Sequence, residues 1–392
     1  MKPLAGLKIL DFSRVLAGPM ATQIFADFGA EVIKIESLAG DEARTWEPRL
    51  PDGDSAYFMA FNRGKKSVTL NLKDKRGAGI ARDLAAQADV VLENFTPGTM
   101  ARMKLDYATL AALNPGLIYL SNTGFGQSGP YRDRRGYDTI FQALSGVMSL
   151  TGEADGPPAK VGLPFADLTS GLWIAIAILT GVAARATSGR GTYIDLAMMD
   201  AQVNLLTIAA ARYFALGEVP TRMGTEHPGR VPSASFACAG GDYIHISASD
   251  QHWADLCDVL GLDDMAGPFA ANAARLGQRD LVMARMRAAI GARQRAELAE
   301  ALRARNIPAG EVNALDEILN DPHTRARGVV GAFAHGDGTF PALRTPFNLE
   351  GFDAIDVTPP PALGADTDAV LSSMIGFDAA TITQLRNEGV IL

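Results

Sequence analysis

One acidic side chain stands out for its setting. Asp167 lies inside VGLPFADLTSGLWIAIAILTGVAA, residues 161–184, immediately ahead of the most apolar run in the chain. A carboxylate placed there has two compatible uses. It can cap a helix, accepting main-chain N–H bonds worth about 1 kcal/mol, and it can attack an electrophile as a nucleophile. A helix dipole favours the ionised form by about 0.3–1 kcal/mol, which is under about one pKa unit. The group is therefore expected to stay charged unless burial, which raises an acid, outweighs the dipole.

Other reactive groups are poorly placed to help it. The histidines His227, His245, His252, His323 and His335 all lie beyond the strand-and-helix alternation described below, and no G-x-S-x-G turn supplies a serine for a Ser-His-Asp triad. Cys238 and Cys257 are the only cysteines, too few for a disulfide framework and without zinc spacing. No metal site is expected, and a reducing cytoplasm fits.

These residues need elements to carry them. Residues 168–184 hold no charge and read as a buried core helix of about four or five turns. A membrane span wants about 20 apolar residues; this run is shorter, contains Thr169, Ser170, Gly171, Thr180 and Gly181, and ends at Arg185. Upstream, apolar runs at 7–12, 31–36, 68–72, 90–93 and 117–121 predict strands. Helical patterns at 19–28, 75–88 and 106–113 separate them, and a further strand is predicted at 192–197. That alternation predicts an α/β fold, a parallel sheet covered on both faces.

Ligands of such sheets gather at the carboxyl ends of the strands. Those ends are Ser13-Arg14, Glu36, Glu93-Asn94-Phe95 and Asn122-Thr123-Gly124-Phe125-Gly126. Nucleotide motifs fail here. Leu16-Ala17-Gly18-Pro19 is not G-x-G-x-x-G, and Met59 stands where a P-loop ending in Gly64-Lys65-Lys66-Ser67 needs glycine. Glu36 alone mimics the ribose-binding acid of a dinucleotide site.

Composition bounds the rest. The chain has 392 residues, 47% hydrophobic and 20% charged, as a soluble globular protein of two or three domains would. Its net charge of −8, from 44 acidic and 36 basic residues, argues against nucleic acid as a partner. The start MKPLAGLKILDFS lacks a signal-peptide pattern, so no leader is expected. A helix is predicted over 200–214, a loop over 222–235, a hairpin over 236–246 turning at Gly240-Gly241-Asp242, and helices over 251–260, 279–290 and 294–303. Together they form a small α+β domain over 223–330. Residues 331–361 read as largely irregular and 367–392 as helical again.

The chain resembles the family III CoA-transferases, which include formyl-CoA and carnitine CoA-transferases and are related to α-methylacyl-CoA racemase. The resemblance spans nearly the whole length. It rests on Leu7-Lys8-Ile9-Leu10-Asp11-Phe12 with Leu16-Ala17-Gly18-Pro19, Gly29-Ala30-Glu31-Val32-Ile33-Lys34-Ile35-Glu36, and Phe61-Asn62-Arg63-Gly64-Lys65-Lys66-Ser67. Further matches are Glu93-Asn94-Phe95-Thr96-Pro97-Gly98, Asp167 ahead of Gly171, Thr187-Ser188-Gly189-Arg190-Gly191, and Leu363-Gly364-Ala365-Asp366-Thr367-Asp368. It implies a Rossmann-like large domain over 1–199, a linker over 200–222, the small domain over 223–330, a second linker over 331–366 and a C-terminal return to the large domain over 367–392. Two chains would interlace as a homodimer.

The resemblance also implies chemistry. Asp167 would attack an acyl-CoA thioester and carry covalent aspartyl intermediates until a carboxylic acid acceptor leaves as the new thioester; coenzyme A is substrate, with no permanently bound cofactor. CoA would be held by Arg14 and Val15, by Leu70, Asn71, Leu72 and Lys73, by Asn94 and Phe95, by Arg102 and Met103, and by Arg135 with Tyr137. Arginine forks suit phosphates and aromatic faces suit adenine. Ser37 stands where some members carry a CoA-binding arginine.

The racemases place a histidine where this chain has Tyr137, within Gly136-Tyr137-Asp138, and a tyrosine is a poor base at neutral pH. A racemase and a non-catalytic acyl-CoA binder are the alternatives to a transferase. Leu16 replaces the glutamine of formyl-CoA transferase and its tetraglycine loop is missing, which disfavours oxalate or formate. Arg222, His227 and Arg230 are candidates to pair with the far carboxylate of a small dicarboxylic acid, with Glu226 opposing them.

Overall fold

Six short runs pair edge to edge in the computed structural model, which describes residues 1–392. They are β1 (Lys8–Asp11), β2 (Glu31–Glu36), β3 (Lys66–Thr69), β4 (Val90–Glu93), β5 (Ile118–Thr123) and β6 (Thr192–Ala197). Every pairing is parallel, in the order β3-β2-β1-β4-β5-β6. Val, Ile and Leu dominate β1, β2 and β4 because helices cover both faces of the sheet. The order reverses between β1 and β4, which leaves a crevice beyond their carboxyl ends.

Each face has its own core. On one, Leu10, Ile33, Val91 and Tyr119 pack with Ile80 and Leu84, and with Val370, Leu371, Ile382 and Leu385 from the C-terminal helices Thr367–Ile375 and Ala379–Asn387. On the other, Ile9, Val32, Val90 and Ile118 meet Ala21 and Phe25 of the helix Ala17–Asp27 and Ile174 and Ile178 of the helix Phe165–Ser188. These two helices approach so closely that a Cβ on Gly171 would stand 2.9 Å from the Ala17 carbonyl oxygen. Any larger residue would force them apart.

The chain divides into two units, one of residues 1–147, 161–211 and 323–392, the other of 148–160 and 212–322. The second holds an antiparallel sheet of Ser233–Ala237, Tyr243–Ser247 and Ala309–Glu311. The expected hairpin and the three expected helices are present, as Asp250–Leu260, Arg279–Gly291 and Arg295–Ala304. Phe236, Ile244, Trp253, Leu256, Met286 and Leu298 form their core.

Two expectations need correction, and two elements were not foreseen. The helix predicted as a buried core element is buried on one side only: Ala166, Ser170, Ile174 and Ile178 face inward, while Leu172, Ile176 and Leu179 are about half exposed. Its 24 residues are apolar enough to cross a membrane, yet its inner face packs on the sheet. The helix predicted over 200–214 is two helices, Met198–Asn204 and Thr207–Leu216. Residues 331–361, expected to be largely irregular, contain one hairpin that was not anticipated, Val330–His335 paired antiparallel with Gly338–Leu343. A helix Ala56–Asn62, capped by the Ser55 hydroxyl, was not anticipated.

Candidate active site

The carboxyl ends of β1 and β4 bring together four of the expected ligand-binding residues. The Asn94 side chain clasps Arg14, accepting from its main-chain N at 3.0 Å and donating to its carbonyl at 2.9 Å. The Arg14 guanidinium lies 4.8 Å from the centroid of the Phe95 ring. Val15 follows with φ 69°, in the left-handed region. Gly18 allows the next helix to start at once, because a Cβ there would collide with the Ser13 side chain at 2.2 Å.

Beneath this turn lies a buried ionic network that strand prediction did not reveal. Asp11, Lys34, Asp41 and Lys65 are wholly or almost wholly buried. Lys34 Nζ pairs with Asp41 at 2.8 Å and donates to the Ser13 carbonyl at 2.8 Å. Lys65 Nζ reaches Asp11 at 3.3 Å, the Pro19 carbonyl at 2.9 Å and Asn62 at 3.0 Å. Burial alone would push the Lys34 ammonium down, but Asp41, Asp11 and Glu36 together hold it above its ordinary value. Burial would likewise push Asp11 up, and Lys65 and Lys34 keep it below the usual carboxylate range. Lys65 is carried down to about 7 by burial, against the attraction of Asp11.

The remaining expected CoA contacts follow β3, β4 and β5 in the chain. Leu70 is fully buried in the sheet core, so its side chain faces no ligand. Asn71 donates its main-chain N to the Val390 carbonyl at 2.8 Å and its side chain accepts from Lys73 N at 3.2 Å. Leu72 and Met103 are partly buried against the core, and Lys73 and Arg102 are exposed. Arg102 donates to Thr99 at 2.9 Å. Arg135 and Tyr137 stand exposed on the loop before the helix Asp138–Leu144.

Asp167 does not cap its helix. The helix Phe165–Ser188 begins earlier than expected, and the cap is supplied from a distance by Asp138, whose Oδ1 accepts from Ala166 N at 2.7 Å and Asp167 N at 3.1 Å. One turn along, buried Gln142 donates to Asp138 Oδ2 at 2.6 Å and accepts from Val161 N at 2.9 Å. Two side chains spaced i and i+4 thus clamp the entry to the Asp167 helix. Burial first, and then the Asp138 charge, push Asp167 up to about 7, with no cation set against them. Burial therefore outweighs the helix dipole.

Sequence reading missed more of this neighbourhood. Tyr57, edge-to-face with Trp46 at a ring-centroid distance of 5.2 Å, is raised by its burial and then by the Asp167 and Asp138 charges. Gln202 donates to Thr169 at 2.5 Å. Its Oε1, with Asn122 Oδ1 and Thr123 Oγ1, is buried without a partner. Asn122 and Thr123 lie at a strand end that the sequence points to, whereas no local pattern marks Tyr57 or Gln202, whose interaction partners Asp167 and Thr169 lie far along the chain. In the other unit, Glu226 is neutralised by Arg279 at 3.0 Å and Arg287 at 2.6 Å. Arg222 donates to the Gly156 carbonyl at 2.9 Å, and its Nε is buried without a partner. His227 accepts from Gly229 N at 3.0 Å.

Comparison with known proteins settles the family, because residues 4–367 match the model of CoA-transferase family III. The chain belongs to that family. This CoA-transferase is 38% identical to the succinate–glutarate CoA-transferase of Agrobacterium fabrum, over 95% of the chain and 96% of that relative. It is 36% identical to the succinyl-CoA:glutarate CoA-transferase of Mus musculus, over 100% of the chain and 91% of that protein. The crystal structure of a CaiB/BaiF family protein from Brucella suis superimposes with a TM-score of 0.86 at 38% identity, covering 95% of this chain and 99% of the other. The protein is thus an enzyme that moves CoA from an acyl-CoA thioester to a carboxylic acid. The readings as a racemase and as a non-catalytic binder give way to it.

Proposed function

We propose that this CoA-transferase works through covalent intermediates on Asp167 and hands CoA to a small dicarboxylic acid. One observation carries the catalytic assignment: Asp167 is a partly buried carboxylate, beside a second acid and without a counter-cation, held by its main chain rather than by its side chain. Such a group is more basic than an exposed one and is half ionised near neutral pH, which suits a nucleophile. Its attack on the thioester carbonyl forms an aspartyl–acyl anhydride and releases CoA thiolate. The thiolate attacks the aspartyl carbonyl, giving an aspartyl thioester and the free donor acid. The acceptor carboxylate then displaces CoA thiolate to form a second anhydride, and attack of the thiolate on the acceptor's carbonyl yields the new acyl-CoA and regenerates Asp167. Every step exchanges one acyl bond for another, and water must be kept out.

In this reading CoA lies across the carboxyl ends of β1 and β4, against Arg14, Val15, Asn94 and Phe95, and runs along Asn71, Leu72, Lys73, Arg102 and Met103, meeting Leu70 only through its main chain. Arg135 and Tyr137 close the other side. Support comes from the switch in strand order at that point and from the Asn94–Arg14 clasp. For the acceptor, support comes from the glutarate named in both enzyme relatives. Glu226 no longer opposes an anion, because two arginines hold it.

The working form in this proposal is a cytoplasmic homodimer with interlaced chains. Its linkers are residues 200–222 and 331–366, joining the large domain (1–199), the small domain (223–330) and the C-terminal return (367–392). The helix Thr207–Leu216 buries none of its residues, with Ile208 80% and Phe214 81% exposed. Counted together with the uncovered Leu172, Ile176 and Leu179, that is more apolar surface than a monomer ordinarily leaves bare. A donor-by-acceptor screen tests the function: succinyl-CoA with glutarate and other short diacids is expected to give CoA transfer, lost in Asp167→Asn. Transfer that survives in the folded variant would overturn the mechanism.

A further inference from the structure

We propose that the buried Lys34–Asp41 ion pair is a positioning device that holds Val15 in a left-handed turn, so that Arg14 and Val15 are presented to the acyl-CoA. This deepens the CoA-site reading above and rests on it. The starting observation is a conformation that does not suit its residue. Val15 has φ 69°, a region where a β-branched side chain is an outlier and where strain persists only if the surroundings impose it.

The surroundings do impose it. The Val15 N–H points at both oxygens of Asp41, at 3.3 and 3.2 Å. Asp41 is fully buried and salt-bridged to Lys34 Nζ at 2.8 Å, and the same ammonium donates to the Ser13 carbonyl at 2.8 Å. One cation therefore grips both sides of the turn, Ser13 directly and Val15 through Asp41. Between them Arg14 is held at its N and its carbonyl by Asn94. The main chain of residues 13–15 is thus bound by side chains arriving from β2, from the segment after β2 and from the end of β4, which aims the Arg14 side chain over Phe95.

A plainer role for Asp41 also has support. It caps the short helix Glu42–Thr45, accepting from Ala43 N at 3.0 Å. Capping alone needs no buried lysine and leaves the conformation of Val15 unexplained. A buried ion pair gives up much of its attraction to desolvation, so its return here is geometry: it keeps a turn that valine would otherwise leave.

The two roles separate in kinetics. Asp41→Asn should raise the KM for acyl-CoA by about tenfold, with kcat and the KM for the acceptor acid within about twofold of the native enzyme. Adding Val15→Gly, which accepts the left-handed turn without a steric penalty, should bring the acyl-CoA KM of Asp41→Asn back toward that of Val15→Gly alone. A loss of thermal stability with an unchanged acyl-CoA KM, or a double variant impaired as much as the product of the singles, would overturn the inference.

Arg14→Ala serves as the control for the underlying reading. If it leaves the acyl-CoA KM unchanged, the CoA site itself is misplaced. If it raises that KM while Asp41→Asn does not, only the positioning role falls. Should Asp41→Asn fail to accumulate as folded protein, the Tm values of Val15→Gly and Val15→Ala in the absence of ligand still decide. Glycine melting higher by a few degrees is expected, and the reverse order would show that no strained turn is being held.

Discussion

The turn after β1 and the start of the helix Phe165–Ser188 are both built on acids withdrawn from water, yet they treat charge in opposite ways. At the turn, each buried carboxylate meets a cation: Asp11 has Lys65, Asp41 has Lys34, and Glu36 has Arg44 at 2.7 Å. Asp27 is matched in the same way by Arg63 at 2.6 Å. At the helix start, Asp138 spends its charge on two main-chain N–H groups, and Asp167 receives only the repulsion of its neighbour. The first arrangement fixes backbone. The second leaves one acid poorly stabilised. On the function proposed above, the binding surface is held still by neutralised charge, while the nucleophile is distinguished by charge left unanswered.

The comparison breaks most sharply at Asp167. Asp167→Asn keeps the shape of the side chain and removes the nucleophile, so turnover should fall by about 10³-fold or more, with acyl-CoA binding retained in a titration. The opposite pole is Arg63→Leu, which strands Asp27 in the interior beside the Thr345 hydroxyl. It should cost about 3–5 kcal/mol of stability in denaturant unfolding while leaving the KM values of the folded fraction unchanged.

Asp138 sharpens the contrast because its geometry and its charge come apart. Asp138→Ala removes both N–H bonds at the helix start, and kcat should drop by about 10²-fold through misplacement of Asp167. Asp138→Asn keeps an oxygen acceptor and deletes the charge. The acidic limb of its kcat/KM profile should move to lower pH by about one unit; a limb that stays in place would mean that Asp138 does not tune its neighbour.

The smallest effect is one of stability against pH. Asp167 is held at about 7 in the folded enzyme, against 3.8 for the free group. Between those values the folded state binds more protons than the unfolded one, so this group's contribution is full below about pH 4 and is lost as pH rises through 7. Asp167→Asn removes that loss. The Tm of the variant relative to the native enzyme should therefore climb by a few degrees across this window and level off above it.

The sheet was legible because its strands are unbroken apolar runs ended by turn residues: Glu31–Glu36, Val90–Glu93 and Thr192–Ala197 lie where the pattern put them. The hairpin Val330–His335 with Gly338–Leu343 was not, because its residues are mostly exposed and carry Gly331, Gly336 and Pro341. Of the candidate site, Asp167 was visible from its place beside an uncharged run. The Lys34, Lys65, Asp11 and Asp41 network was hidden, since charged residues in a sequence ordinarily signal solvent. Lys34 sits at a strand position of EVIKIE whose full burial only the packed structure reveals. Asp138 was hidden for another reason: it caps a helix that starts more than a score of residues later, and capping patterns are local.

The central claim is that the Asp167 side chain itself becomes acylated, and chemical capture tests it most directly. The enzyme is incubated with succinyl-CoA, without acceptor acid, treated with hydroxylamine, digested and analysed by mass spectrometry. The expected result is a hydroxamate on the peptide containing Asp167, absent from Asp167→Asn and from samples lacking the thioester. Continued CoA transfer in the native enzyme with that peptide unmodified, or with the hydroxamate on a different acid, would contradict the account.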